Sequence, residues 1–275
     1  MYKNHVKELY FEFIILKSMY FAHLKNIKVY SQNFFFSLIS YPAQVIMFFY
    51  LWLAILSTTN LGNITADDLL AYYLLAFLIE RLTSNRRVTD NLEEDIVTGK
   101  LAIYFVRPIP IYSNHLAEYL SQLSINGILM VPIAIGLLKI LTPSIIQLNP
   151  QILFIFSLFV ILSGLCQFLI FYIIGLLAFW LERVWGIRMG FYWILSFLSG
   201  RLIPLYLFPP ILVPWINLLP FRFFTYELVM ILLTPLDLMN IIPNLLFLLI
   251  WVLFFLILSW FILRWGEKKF LGYGI

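Results

Sequence analysis

Charge is what this 275-residue chain has least of. Only 12% of its residues are Asp, Glu, Lys or Arg, about half the share of a soluble domain. By contrast 63% are hydrophobic and the mean hydropathy is +0.94. A soluble globule is excluded, and an integral membrane protein is implied. The apolar runs far exceed the roughly 9 to 11 alternating residues of a barrel strand, so the spanning elements are helices. Cysteine is nearly missing too: Cys166 stands alone, which rules out intrachain disulfides and cysteine-only metal sites and leaves a small buried hydrophobe. No GxxxxGK[ST] loop occurs, so any ATP must be handled by another polypeptide. There is no HExxH, and His5, His23 and His115 are scattered, so no metal and no cofactor of the chain's own are expected. The carboxylates form no cluster, and no His-Asp pair stands ready for group transfer at a membrane surface, which makes enzymatic chemistry the weaker class. The net charge of +4 would point a soluble protein toward nucleic acid. In a membrane protein it reports topology, and no nucleic acid is expected.

What is present is organised by hydropathy. Residues 1–30 carry Lys3, Lys7, Lys17, Lys25 and Lys28, too much charge for a span or for the core of a cleaved signal. Leu9, Phe13, Leu16, Tyr20, Leu24 and Ile27 fall on one helical stripe, although Ile14 and Phe21 lie among the lysines. An amphipathic helix lying in the membrane surface is expected. Six spans follow at 33–57, 69–88, 112–138, 151–180, 187–207 and 243–263, each near the roughly 20 residues a bilayer requires, with kinks expected at Pro42 and Pro132. Nearly all Lys and Arg of the connections fall on one side. The other side, at 58–68, 139–150 and 208–242, holds only Lys139 and Arg222. The positive-inside bias puts the first side, and both termini, in the cytoplasm. Seven of the thirteen prolines lie between 204 and 243, in pieces too short to cross. Short re-entrant helices dipping from the outer face are expected there, with one extra kinked pair of spans as the alternative. The expected fold is all-α and polytopic, a single transmembrane domain over 1–275.

Charge inside the apolar pattern marks candidate sites. Glu80 and Arg81 fall within the second predicted span, with Arg87 two turns on; a charge at that depth costs about 2.5–3.5 kcal/mol on insertion scales. They line a pathway or form a structural ion pair, and Arg201 in the fifth predicted span poses the same choice. The densest charge is an island: Asn85-Arg86-Arg87, Asp90 through Lys100, and Arg107-Pro108. Within it Leu92 and Ile96 share a helical face, Glu93, Glu94 and Asp95 surround them, and Gly99 allows the helix to stop. The reading is a short transverse helix at 90–106 whose apolar stripe offers itself to a groove on a cytosolic partner; a merely solvated connection is the alternative.

Two stretches resemble the membrane subunits of type-2 ABC exporters, in the branch of uncharacterised permease components. One is Ile96-Val97-Thr98-Gly99-Lys100-Leu101 through Phe105-Val106-Arg107-Pro108, with Ala102 where an acidic residue is commoner. The other is Ser199-Gly200-Arg201-Leu202-Ile203-Pro204, followed by Pro209-Pro210 and Leu219-Pro220-Phe221. The resemblance implies that Glu94, Asp95, Ile96, Gly99, Leu101, Arg107 and Pro108, next to Leu92 of the stripe, belong to a coupling helix. It implies an outer gate at Arg201, Pro204, Pro209, Pro210, Pro220 and Phe221. It also implies a second permease subunit, identical or paralogous, and two nucleotide-binding ATPase subunits that carry ATP and Mg.

The expected function is a permease subunit of an ATP-driven exporter for a hydrophobic or amphipathic substrate: drug, lipid, glycolipid or peptide. The 19% aromatic content offers such cargo dispersion and stacking. The rivals are a proton-coupled secondary transporter working through Glu80 or Glu118, and a non-transporting scaffold or enzyme subunit.

Overall fold

The computed structural model describes residues 2–25, 31–58, 65–106, 110–141, 149–181, 183–234 and 238–272. Among them every regular element is helical and there is no strand. Helix α1 (Tyr2–Lys25) is followed by α2 (Ser31–Thr58) and α3 (Ala66–Thr83). Next come α4 (Arg86–Val97), the short α5 (Ala102–Val106), and the long α6 (Ile111–Leu141) and α7 (Pro150–Leu176). Then follow α8 (Trp185–Leu198), the one-turn α9 (Val213–Asn217), α10 (Tyr226–Leu233) and α11 (Leu238–Gly272).

Local chemistry explains several helix starts. Thr65 accepts a hydrogen bond from the Asp68 backbone N–H at 3.2 Å, and the Asp68 carboxylate accepts from the Thr65 N–H at 3.0 Å. This reciprocal box starts α3 and puts two carboxylates in its positive first turn. Asn149 caps α7 by accepting from the Gln151 N–H at 3.1 Å, and Pro150 supplies a first residue that needs no donor.

α3 is the central helix. Leu69, Tyr72, Tyr73, Leu74, Leu75 and Ile79 are all nearly inaccessible, because α2, α6, α7 and α10 pack around it. α7 is the second organiser, with α4, α10 and α11 laid against it. α1 lies against α6, where Tyr20 donates to Ser124 Oγ at 2.9 Å and His23 Nε2 lies 3.3 Å from Asn114 Oδ1. On α1, Leu16, Tyr20 and Leu24 are half-buried while Ile14, Lys17, Phe21 and Lys25 are exposed.

Among the described residues three helical stretches are long and apolar enough to cross a membrane: Ile111–Ile140, Pro150–Phe179 and Ile241–Lys269. Their outer faces are oily. On α11, Leu246, Ile250, Leu253, Phe254, Ile257 and Trp260 are all at least half exposed, a surface that suits lipid rather than water.

Two predicted spans are corrected. The one expected at 69–88 ends at Thr83, because Ser84 and Asn85 break the helix and α4 begins at Arg86 rather than 90. The one expected at 187–207 is only the 14-residue α8, about 21 Å long at 1.5 Å per residue. It stops where Gly200 turns the chain at φ +83, a backbone conformation that glycine adopts freely. Residues 205–224 form only short turns and α9, and α10 follows.

Candidate functional site

The charged island begins where α3 breaks. Asn85 is buried and donates to the Thr83 carbonyl at 2.7 Å and the Gly164 carbonyl at 3.1 Å, which pins the break onto α7. α4 then runs along α7. Thr89 donates to the Phe171 carbonyl at 2.7 Å, and Leu92 rests on Gly175. A Cβ on Gly175 would lie 3.0 Å from Leu92 Cδ2 and 3.3 Å from Thr89 Cα, so the notch exists only because the residue is glycine.

This geometry corrects the expected role of the apolar stripe. Leu92 is inaccessible, Ile96 is buried and Leu101 is inaccessible. They attach the island to its own protein and are not offered to a partner, since α7 carries the complementary small residue. Polar ties reinforce the attachment. Asp90 pairs with Arg188 of α8 at 3.0 Å, Glu93 accepts from the Val184 N–H at 3.3 Å, and Asn91 donates to both oxygens of Glu118 at 2.8 and 2.9 Å. Burial pushes the Asp90 carboxyl up, against the opposing pull of Arg188. Asp95 is also pushed up by burial, partly offset by the Tyr104 hydroxyl that donates to it at 3.2 Å, and His115 Nε2 lies 3.7 Å away.

What faces outward is the tip. Glu94, Val97, Thr98, Gly99, Lys100 and Ile103 are exposed, with Val97 at 57% and Ile103 at 52%. α4 ends as Gly99 takes φ +73, and Leu101 N–H returns to the Asp95 carbonyl at 2.9 Å. Lys100 pairs with Glu94 across the tip, a bond that raises the lysine's affinity for its proton. Arg107 and Pro108 lie outside the described residues.

A second cluster lies at the α3–α4 junction. Glu80 Oε1 meets Arg201 at 3.0 Å, Arg86 at 3.4 Å and the Tyr192 hydroxyl at 3.1 Å. Both guanidinium groups stack on the Tyr192 ring, at 4.2 and 4.7 Å. Arg201 also donates to the Tyr192 hydroxyl at 2.6 Å and to Ser196 Oγ. The cleft lined by these groups, Gln167 and Thr225 holds about 30 Å³, about the space of one water. Glu80 and Arg201 therefore join in one cluster from two elements far apart in sequence. Arg81 points elsewhere, donating to Ser40 Oγ at 2.6 Å, and Arg87 is half-buried on α4 outside the cleft. Sequence reasoning missed Tyr192 and Arg188: a tyrosine in an apolar run carries no signal, whereas Arg188 at the edge of one could have been paired with an acid of the island.

The proline-rich stretch forms a third feature. Pro204 precedes a short turn, Pro209 and Pro210 lead into α9, and Pro220 opens the turn that carries Phe221, whose ring meets Phe191 and Phe224. No group of three or more His, Cys, Asp or Glu side chains placed for a metal occurs among the described residues.

No curated protein matched the chain. Comparison with known families matches residues 43–274 to the family described as ABC-2 family transporter protein. That range takes in the island, the junction cluster and the proline-rich stretch. With apolar helices of spanning length and a match over most of its residues, the chain belongs to the ABC-2 transporter family, as an integral membrane permease subunit of a type-2 ABC transporter.

Proposed function

We propose that this chain is the permease half of an ATP-driven exporter for a hydrophobic or amphipathic substrate, and that α4–α5 is its coupling element. Membership of the family implies an ATPase on another chain, in keeping with the missing phosphate loop. In this reading two such ATPases bind ATP and Mg, and two permeases, identical or paralogous, stand side by side. In this reading the chain is one membrane domain crossing six times, through α2, α3, α6, α7, the segment that begins with α8 and continues past its end, and α11. Both termini and the island face the cytoplasm, and α1 lies in the membrane surface. The short pieces between α8 and α11 dip from the outer side, with Arg201, Pro204, Pro209, Pro210, Pro220 and Phe221 near an outer gate.

One observation carries this reading: a helix fastened rigidly to the protein on one face and exposed at its tip. Leu92, Ile96 and Leu101 are buried on the chain's own side while Val97 and Ile103 stand out. A push on such a tip moves the helix as a body, and Asp90–Arg188 and Arg86–Glu80 carry the motion into α8 and α3. Glu80 is engaged by Arg86, Arg201 and the Tyr192 hydroxyl, an arrangement that ties α3, α4 and α8 together.

The test is purification of the tagged full-length chain from its own membranes with its associated ATPase. Changing Val97 and Ile103 together to Asp should remove most of the co-purifying ATPase and leave the thermal unfolding midpoint unchanged. Undiminished co-purification would overturn the docking assignment.

A further inference from the structure

A roomy cleft lies beside α9, lined by residues of neither the island nor the junction cluster. It holds about 520 Å³, within the range of small-molecule sites. Its walls are apolar and aromatic, including Phe208, Ile216, Tyr206 and Tyr226, and beside Asn217 its charged groups are one cation and one anion, Arg222 and Glu227.

Arg222 is held in place from several directions. It donates to Asn217 Oδ1 at 2.9 Å and to Asn244 Oδ1 of α11 at 3.0 Å, sits 4.7 Å from the centroid of the Phe223 ring, and faces Glu227 at 3.5 Å. Its Nη1 serves Asn217 and Glu227 while its Nη2 donates to Asn244 alone among the described residues, so protein groups do not saturate the fork. Glu227 has no other ion-pair partner among the described residues, and its side chain, like that of Arg222, stays 20% exposed. The rings of Tyr206 and Tyr226 lie 6.4 Å apart, tilted by 52°.

A ligand that fits must bring an anionic group for the arginine and a cationic group for the carboxylate and the ring faces, a few ångströms apart. A purely anionic ligand would meet Glu227, and a purely cationic one would meet Arg222. The source of the ligand is indicated by the surrounding segment. Ile211, Trp215 and Leu218 project from it at 63% to 76% exposure, a display of large apolar side chains that belongs in the interfacial belt of a bilayer. We infer that this cleft binds the headgroup of a zwitterionic phospholipid, with its phosphate on Arg222 and its ammonium between Glu227 and the two tyrosine rings.

Purified full-length chain in detergent is titrated with dihexanoylphosphatidylethanolamine, dihexanoylphosphatidylglycerol and free phosphoethanolamine, and bound ligand is counted by native mass spectrometry. The zwitterionic lipid should bind about tenfold more tightly than the anionic one, the worth of one charge-assisted contact. Glu227→Gln should erase that preference while keeping lipid binding, and Arg222→Gln should weaken both lipids. Tyr206→Leu, a change at a partly exposed ring, should weaken the zwitterionic lipid severalfold more than the anionic one without depending on how well Arg222→Gln folds. Equal binding of the two lipids by the unaltered chain, or a preference that survives Glu227→Gln, would overturn the assignment. Free phosphoethanolamine binding as tightly as the lipid would overturn its lipid source. Neither nucleotide nor ATPase enters this measurement, so its failure is separate from failure of the docking test.

Discussion

Two charged clusters in this oily protein are built to opposite plans. At the α3–α4 junction one carboxylate faces two guanidinium groups, the Glu80 and Arg201 side chains are 12% and 7% exposed, and about 30 Å³ is left over. Beside α9 one arginine faces one carboxylate across 3.5 Å, both a fifth exposed, and about 520 Å³ stays open. The closed cluster uses its charges on itself and so acts as a tie between elements. The open one keeps charges available and so acts as a receptor.

The sharpest way to break this contrast is to remove the closed cluster's anion. Glu80→Ala leaves Arg201 buried against a charge it no longer has, which should cost about 3–5 kcal/mol of stability, read as a large drop in the unfolding midpoint of the detergent-solubilised chain. Adding Arg201→Gln should recover part of the loss, because the stranded charge goes too; no recovery would mean that the two residues are not coupled. Glu227→Gln in the open cluster should cost less than Glu80→Ala, because one cation rather than two loses its partner and the Glu227 side chain is more exposed.

A smaller effect separates the tie from the tip it serves. Gly175→Val fills the notch under Leu92 and Thr89, and overpacking of this kind costs roughly 1–3 kcal/mol. It should also lower ATPase stimulation by lifting α4, whereas Val97 and Ile103 changes should lower ATPase association and stimulation and leave the unfolding midpoint unchanged. Equal unfolding midpoints for Gly175→Val and the unaltered chain would show that α4 does not need the notch.

The smallest effect concerns pH. Burial raises the Asp95 carboxyl above its ordinary value, so the fold favours its protonated form. Stability from this group is full below the unfolded value, about 3.9, and is lost as pH rises through the raised folded value. Asp95→Asn should therefore narrow the gap between unfolding midpoints at acid and neutral pH. An unchanged gap would show that Asp95 is not its source.

The legible part of this molecule was whatever depends on single residues and their near neighbours. Scarce charge announced the membrane, and the island's density showed that it could not lie in lipid. Gly99 marked the end of α4 because a positive φ is cheap only for glycine. The break before α4 was missed because Thr83, Ser84 and Asn85 are tolerated in a helix until a partner such as the Gly164 carbonyl rewards leaving it. The Leu92 and Ile96 stripe was readable as apolar, but its cover was not. Gly175, 83 positions on, has no feature that distinguishes it from the other glycines in apolar runs.

Composition and periodicity settled the helical class, the membrane setting and the position of the charged island. These follow from solvation costs that each residue bears wherever it ends up. Pairing across the chain settled the rest: which side of α4 faces inward, that Glu80 belongs with Arg201, and that Arg222 and Glu227 stand open beside a cavity. Such pairings bring distant segments together, and their energies exist only once the helices have packed.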